Sequence, residues 1–159
     1  MWVARFVAPV VVAFVMAACS SSAPPAGTIP TIDDARGLLD QMVMLARDHK
    51  FDELCRVADD GNCERLLEDA GRGAVPPDPP TIVATRIMPT RQSGDQISPG
   101  GVVFVLCGTT AGGEHYDSEM LVLHDGGGLR ALNPVYWGKT RIGDSANPVT
   151  AETFPPVTC

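Results

Sequence analysis

A proline-rich stretch divides the chain into two parts with different hydrophobic periods. Four prolines lie between Val75 and Pro80, and proline neither continues a helix nor donates to a sheet ladder. Before this stretch, apolar residues recur three and four positions apart, which is the period of a helix. After it they alternate or run in short blocks, as in strands. The residues therefore predict an α+β domain, with the helices first and an antiparallel sheet second.

The first part predicts one long helix and two short ones, over residues 31–49, 51–58 and 62–70. Thr31 is a candidate N-cap, and Asp33 and Asp34 would favour the first turn of the long helix. The apolar side of that helix is predicted to face the core and comprises Ile32, Ala35, Leu38, Leu39, Met42, Leu45 and Ala46.

The second part predicts four antiparallel strands, over residues 82–88, 102–106, 116–124 and 129–136. The block 102–106 is apolar on both faces, which is typical of a central strand. Glycines at 126–128 indicate a hairpin turn before the last strand. We expect the long helix to pack across a curved four-stranded sheet, followed from Gly138 by an irregular tail that reaches Cys159.

The N-terminus carries the three parts of an export signal. Arg5 is followed by an apolar run over residues 6–14 and by Met16-Ala17-Ala18 directly before Cys19. This segment resembles a bacterial lipobox, which implies that Cys19 is lipidated and becomes the new N-terminus. A transmembrane anchor and plain secretion after Ala18 are the alternatives. The expected organisation is a signal peptide over 1–18, a lipidated tether over 19–30 and a single α+β domain over 31–159.

Charge and anchoring together restrict the partners. Removing residues 1–18 leaves 11 basic and 19 acidic residues, a net charge of −8. An acidic surface repels phosphate backbones, so no nucleic-acid partner is expected. The lipid anchor instead predicts a place on the extracytoplasmic face of the cell membrane.

The cysteines indicate an oxidising compartment. Apart from Cys19 there are four, an even number, which predicts two disulfides with three possible pairings. We favour Cys55–Cys63, which flanks a turn between helices, and Cys107–Cys159, which ties the last residue to a central strand. No two of these cysteines form a C-x-x-C pair, so neither a metal site nor a cofactor is expected.

One strand carries an alternating set of side chains that could do chemistry. His115, Asp117 and Glu119 occupy every second position, so all three can project from one face. That arrangement could hold a base, a carboxylate and a metal ligand. The alternative is an ordinary solvated face of an outer strand, and no second histidine or cysteine cluster is available to complete a metal site.

Several segments resemble a known group of folds. They are the opening helix and residues 51–55, 102–108 and 133–137, and in this order they resemble the nuclear-transport-factor-2-like and cystatin-like folds. They also resemble small actinobacterial lipoproteins of unknown function. Members of the fold family that act as isomerases or dehydratases hold an acid–base residue in the mouth of a cone. That resemblance makes Asp117, His124 and Tyr136 weak catalytic candidates, with Tyr116 and Trp137 near the same mouth.

The sequence favours a binding protein over an enzyme. No nucleophile elbow is present, and Gly138-Lys139-Thr140 has Asn133 where a phosphate loop has its first glycine and no helix pattern after it. We therefore expect a non-enzymatic, membrane-tethered envelope lipoprotein that binds a small apolar ligand or a protein partner. The alternatives are a small isomerase- or dehydratase-like enzyme and a structural accessory of an envelope complex.

Overall fold

The computed structural model describes residues 28–57, 61–93, 95–142 and 159. The helical part consists of α1 (Ile32–Arg47), α2 (Phe51–Arg56), α3 (Cys63–Ala70) and a short 3-10 helix, Arg72–Ala74. The strands are β1 (Thr81–Met88), β2 (Arg91–Ser93), β3 (Gln96–Ser98), β4 (Gly101–Thr109), β5 (His115–His124) and β6 (Leu129–Leu132). This order confirms the predicted α+β class. The predicted signal peptide, Cys19 and most of the tether lie outside the described residues.

Both ends of α1 are capped by local hydrogen bonds. The Thr31 hydroxyl accepts a hydrogen bond from the backbone N–H of Asp34 at 3.1 Å, as the sequence predicted. At the other end, the N–H groups of His49 and Lys50 donate to the carbonyls of Ala46 and Leu45. His49 adopts a positive φ of 57° to make this Schellman-type ending, a position that glycine usually fills. The helix therefore ends at Arg47, two residues before the predicted end.

Four antiparallel strands form an open sheet in the order β1-β4-β5-β6. The strands β2 and β3 pair separately as a small hairpin between β1 and β4. The sequence did not predict this hairpin, because strands of three residues are too short to show an alternating pattern. The order of the four main strands is that of the predicted meander, with β5 between β4 and β6, so His115, Asp117 and Glu119 do not lie on an outer strand.

The last strand is shorter than predicted. It ends at Leu132, and Asn133 turns the chain with a positive φ of 59°. The next residues fold beneath the helices, where Val135, Tyr136 and Trp137 are buried. The chain then returns to β5, where the carbonyl of Thr140 accepts a hydrogen bond from the N–H of Glu119 at 2.8 Å. Predicting a strand to residue 136 was wrong because the aromatic residues were assigned to strand alternation rather than to a buried loop.

The sheet separates two apolar clusters, and we call its helix-facing side the inner face and the opposite side the outer face. The large cluster lies on the inner face between the helices and the sheet. There α1 buries Val43, whereas the predicted Leu45 is only partly buried. The small outer cluster consists of Val103, Leu121 and Leu123, against which Met88, Leu132 and Ile142 pack.

The 3-10 helix contacts both the start of α2 and the β4–β5 turn. The Arg72 guanidinium sits 5.3 Å from the centre of the Phe51 ring, three residues beyond the C-cap of α1. The carbonyl of Ala74 accepts a hydrogen bond from the N–H of Ala111 in the turn at 3.3 Å. With 16 residues, α1 is about 24 Å long.

Two disulfides brace the fold. Cys55 in α2 is joined to Cys63 at the start of α3, with 5.4 Å between their Cα atoms, and Cys107 in β4 is joined to Cys159, with 5.9 Å. These are the two pairs that the sequence favoured. In the part of the chain that the structure describes, no helix is both long and apolar enough to cross a bilayer.

Candidate functional site

The alternating set on β5 is a group of paired side chains on the outer face. The Nδ1 atom of His115 lies 3.3 Å from the hydroxyl of Thr109 on the neighbouring strand. The Asp117 carboxylate is paired with Arg141 from the segment after β6. Within the described ranges, no group of three or more histidine, cysteine and acidic side chains is arranged to hold a metal ion.

Glu119 connects three parts of the fold. Its carboxylate pairs with Arg86 of β1 at 3.6 Å, and both side chains are nearly buried, at 13% and 14% exposure. A second carboxylate oxygen accepts the backbone N–H of Ile142 at 3.2 Å. The backbone carbonyl of Glu119 accepts the side-chain amide of Asn133 at 3.1 Å. Glu119 therefore fixes β1 and the returning chain to the centre of the sheet, which is a structural role.

The aromatic candidates lie together on the inner face. The rings of Tyr116 and Tyr136 are 6.4 Å apart, and the ring of Trp137 meets that of Tyr136 edge-on at 5.0 Å. The indole N–H of Trp137 donates to the carbonyl of Gly71 at 3.3 Å. Among the described residues, neither tyrosine hydroxyl has a hydrogen-bond partner, although both are buried. These rings therefore form a packed corner of the core.

Burial keeps both tyrosines neutral. Desolvation raises the pKa of Tyr116 from its ordinary value of 10 to about 12. Burial also raises the pKa of Tyr136, and the neighbouring Tyr116 adds to this shift while the charge of Arg47 opposes it. Neither hydroxyl can therefore serve as a base near neutral pH.

The three catalytic candidates do not form one site. Asp117 projects from the outer face, whereas Tyr136 packs on the inner face, so the sheet separates them. His124 is at the far end of β5 from Tyr116, about 26 Å along the strand. Strand alternation and strand length both separate residues that lie close in the sequence. Asp117, His124 and Tyr136 therefore do not lie around one common mouth in the described residues.

A groove of about 440 Å³ lies at the β4–β5 turn, and we call it the turn groove. It is bounded by the end of α3, the 3-10 helix, the turn itself and residues 137–139 after β6. Its back is formed by Thr110 and Trp137, and half of its ten lining residues are alanine or glycine: Ala70, Gly73, Ala74, Gly112 and Gly138. Its volume is within the range of ligand pockets.

Charged side chains surround the turn groove. The ammonium of Lys139 lies 3.3 Å from the Glu114 carboxylate, and both side chains are more than half exposed. Asp69 adds a second carboxylate and lies 3.8 Å from Arg65, which is one turn earlier on α3 and does not line the groove. The lining itself therefore carries two negative charges and one positive charge.

Hydrogen bonds hold the backbone of the turn groove. The N–H of Thr110 donates to the carbonyl of Glu114 at 2.9 Å, and the Thr110 hydroxyl accepts the N–H of Glu114 at 3.2 Å. The contact between Ala111 and Ala74 fixes the turn to the 3-10 helix. The walls are thus set by the backbone, while the Glu114 and Lys139 side chains extend into solvent.

Sequence reasoning missed the turn groove. Lys139 was considered only within a rejected phosphate loop. Asp69, Thr110 and Glu114 drew no attention, since nothing in their local pattern distinguishes them from other surface positions. Alanines and glycines line both sides of the groove, but they lie in three separate segments of the chain. They indicate a groove only once the fold places those segments side by side.

Comparison with known proteins identifies no relative. No protein-family model matches the chain, and neither the curated proteins nor the solved structures include a significant match. The likeness to nuclear-transport-factor-2-like and cystatin-like folds therefore stays a prediction, and function is argued from the chain's own residues.

Proposed function

We propose that this protein is a lipid-anchored protein of the cell envelope that binds a ligand or partner protein through the turn groove and catalyses no reaction. The observation that carries this proposal is the turn groove itself, a concavity of about 440 Å³ whose walls are held by backbone hydrogen bonds. Its lining comes from α3, the 3-10 helix, the β4–β5 turn and residues 137–139, and it includes no residue of α1, the helix that follows the tether.

The anchor is supported by sequence and by the disulfides. The order of Arg5, an apolar run, small residues and Cys19 is that of a lipoprotein leader. Two disulfides in one small domain are typical of an oxidising compartment outside the cytoplasm. An anchor of two or more acyl chains holds a protein stably, because each buried methylene contributes about 0.8 kcal/mol.

The absence of catalysis is supported by what the polar candidates contact. Asp117 and Glu119 are engaged in ion pairs with arginines, and Tyr136 is sealed in the core. An isomerase- or dehydratase-like reaction would need a base beside Tyr136, and neither Asp117 nor His124 lies there. We therefore do not propose the enzyme alternative.

The composition of the turn groove favours a polar ligand over the small apolar one that the sequence suggested. A pocket for an apolar molecule is lined mainly by large apolar and aromatic side chains. Here the lining combines alanine and glycine with charged residues, and Trp137 is only 2% exposed. A ligand in the groove would contact mainly backbone and charge.

Intact-mass spectrometry of the full chain, expressed with its own leader and extracted from bacterial membranes, tests the anchor. We expect the mass of residues 19–159 plus acyl groups, and a Cys19→Ser variant should lose the acyl mass and leave the membrane fraction. An unacylated wild-type chain would refute the anchor.

A pair of glycine variants tests the groove. A Cβ added at Gly112 meets only the Thr110 hydroxyl at 3.7 Å, so Gly112→Trp should fill the groove without disturbing the fold. Gly37→Trp is the matched control, since Gly37 is exposed on α1 and nothing lies within 4 Å of its Cβ position. We expect Gly112→Trp alone to lose the molecule that accompanies the wild-type chain in native mass spectra or chemical cross-links. Equal retention by both variants would exclude the groove, and no bound molecule in any variant would favour a structural accessory.

A further inference from the structure

We propose that the free edge of β1 pairs with the same strand of a second copy of this chain, antiparallel and about a two-fold axis at Thr85. The free edge is the side of β1 that faces away from β4. The inference goes beyond the proposed function, because none of the residues that line the turn groove lies on β1.

The two edges of the sheet differ in how they are covered. At one edge, β6 has only four residues, and the N–H of Ala131 donates to the carbonyl of Val57 after α2 at 2.9 Å. At the other edge, β1 has eight residues, and none of Val83, Thr85 and Ile87 is hydrogen-bonded to a described residue outside the sheet. An uncovered edge strand of this length offers a row of N–H and C=O groups to another strand.

The direction of the backbone groups along β1 follows from β5. The N–H of Glu119 on β5 points away from β4, because it donates to the returning chain. Its partner on β4, Val105, therefore presents its own N–H and C=O to β1, where it pairs with Ala84. Since hydrogen-bonded positions alternate along an antiparallel strand, Thr85 and Ile87 direct their N–H and C=O groups to the free edge.

An exposed stripe of side chains accompanies these backbone groups, and we call Val83, Thr85 and Ile87 the edge stripe. Thr85 and Ile87 pair with Phe104 and Val102 of the large cluster, so they lie on the inner face. The helix α1 packs against β5 and β6, whereas Val83 and Ile87 on β1 are 43% and 48% exposed. A strand added at the free edge would cover the edge stripe as well as the backbone groups.

The edge stripe is complementary to itself. With the two-fold axis at Thr85, Val83 of one copy lies opposite Ile87 of the other, and the same contact repeats across the axis. Arg86 is the one charged residue of β1, and in this register it lies opposite Ala84 and projects from the outer face. An axis at Arg86 would instead place two arginines directly opposite each other, which is unfavourable. Charge therefore favours the register that joins the two apolar residues.

The dimer should be weak and should be strengthened by salt. A single pair of strands buries less than the roughly 1,600 Å² of a standard interface. The chain carries a formal net charge of −7, so two copies repel each other, and salt screens this repulsion without weakening apolar contacts. A dimer held by ion pairs would respond to salt in the opposite way.

Oxidative cross-linking of the purified full chain in detergent tests the axis. In the proposed register, the Cα atoms of the two copies of Thr85 are about 5.5 Å apart, which is within the range of a disulfide. We therefore expect Thr85→Cys to form a covalent dimer. Ile87→Cys tests the register, since its two copies lie four positions, or about 14 Å, apart. Met44→Cys controls for random collision, because Met44 is 61% exposed on α1.

Two lysine substitutions, each added to the Thr85→Cys chain, test the edge stripe. Ile87→Lys should weaken the dimer about 100-fold, because each of the two copies loses an apolar contact worth about tenfold. Met44→Lys is the matched control, since it makes the same kind of change at an exposed apolar position outside β1, and it should leave cross-linking unchanged. Sedimentation equilibrium of the wild-type chain in density-matched detergent should show a dimer that forms at high concentration and tightens with salt.

The inference would be overturned at any of three points. One is cross-linking of Thr85→Cys no greater than that of Met44→Cys, and another is equal cross-linking in the presence of Ile87→Lys and Met44→Lys. The third is a wild-type chain that stays monomeric throughout, or a dimer that high salt weakens. Efficient cross-linking of Ile87→Cys would likewise contradict the axis at Thr85.

Discussion

The two faces of β5 differ in how their polar side chains are bonded. On the outer face, His115, Asp117 and Glu119 each have a partner from another segment. On the inner face, the Tyr116 hydroxyl is buried and has no partner among the described residues. The outer face therefore joins segments through charged and polar pairs, whereas on the inner face packing dominates and the buried Ser118 hydroxyl donates to the backbone carbonyl of Tyr136. Residue types that suggest catalysis serve the fold on one face and are sealed away on the other.

The largest expected effect comes from the disulfide on the outer side of the sheet. Replacing Cys107 and Cys159 together by alanine opens a closure of 52 residues and should lower the free energy of unfolding by about 4 kcal/mol. Replacing Cys55 and Cys63, which are 8 residues apart, should cost about 2.5 kcal/mol. Urea denaturation of both double variants measures the two losses, and a larger loss for the helical pair would contradict this order.

Glu119 should be the most sensitive polar position on the outer face. Glu119→Ala leaves the nearly buried Arg86 guanidinium without this carboxylate and should destabilise the fold by about 3 kcal/mol. Asp117→Asn, which alters a more exposed pair, should cost less than about 1 kcal/mol. Equal losses in urea denaturation would show that Glu119 does not join the segments as described.

One methyl group added at Gly108 should destabilise the packing of the inner face. Gly108 pairs with Tyr116, and a Cβ at Gly108 would overlap the edge of the tyrosine ring and its hydroxyl. Gly108→Ala should therefore cost about 2 kcal/mol through overpacking. Gly112→Ala is the control and should be nearly neutral, because its Cβ has room. Thermal unfolding of the two variants measures the difference. Equal unfolding temperatures would show that the Cβ of Gly108→Ala does not overlap the tyrosine ring.

High pH should weaken the inner face selectively. The pKa of Tyr116 is about 12 in the folded chain and its ordinary value is 10, so the unfolded chain loses its proton first. The stabilisation is complete below pH 10 and falls between pH 10 and 12, by up to about 1.4 kcal/mol per pH unit for this group. Urea denaturation across that range measures the slope, and Tyr116→Phe should reduce it. An unchanged slope would mean that the hydroxyl is not buried in solution.

The smallest expected effect is a gain in stability. Tyr136→Phe removes a buried hydroxyl that has no partner in the described residues and should raise the free energy of unfolding by about 1 kcal/mol. Phe104→Leu, at a buried position without a polar atom, should instead destabilise and serves as the control. A loss of stability in Tyr136→Phe would indicate that the hydroxyl is hydrogen-bonded in solution.

Local patterns predicted the elements well. The helical period gave all three helices, and the Thr31 cap is where the sequence placed it. The four main strands follow from the apolar period, and the two disulfides are the pairs favoured among the three possible pairings. The aromatic segment 133–137 was predicted incorrectly, because its residues suit a strand as well as a buried loop and only the shape of the core decides between them.

By itself, the sequence determined the α+β class, the order of the main helices and strands, and the cysteines available for disulfides. The class and the order of elements depend on residues a few positions apart in the sequence. Their apolar period and their caps favour a helix or a strand locally, before tertiary packing forms. Only the tertiary structure decided that Glu119 joins β1 to the returning chain, that Asp117 and Tyr136 face opposite sides, and that a groove exists. The groove's charged residues Asp69, Glu114 and Lys139 lie far apart in the chain, and only packing of the helices against the sheet brings them together.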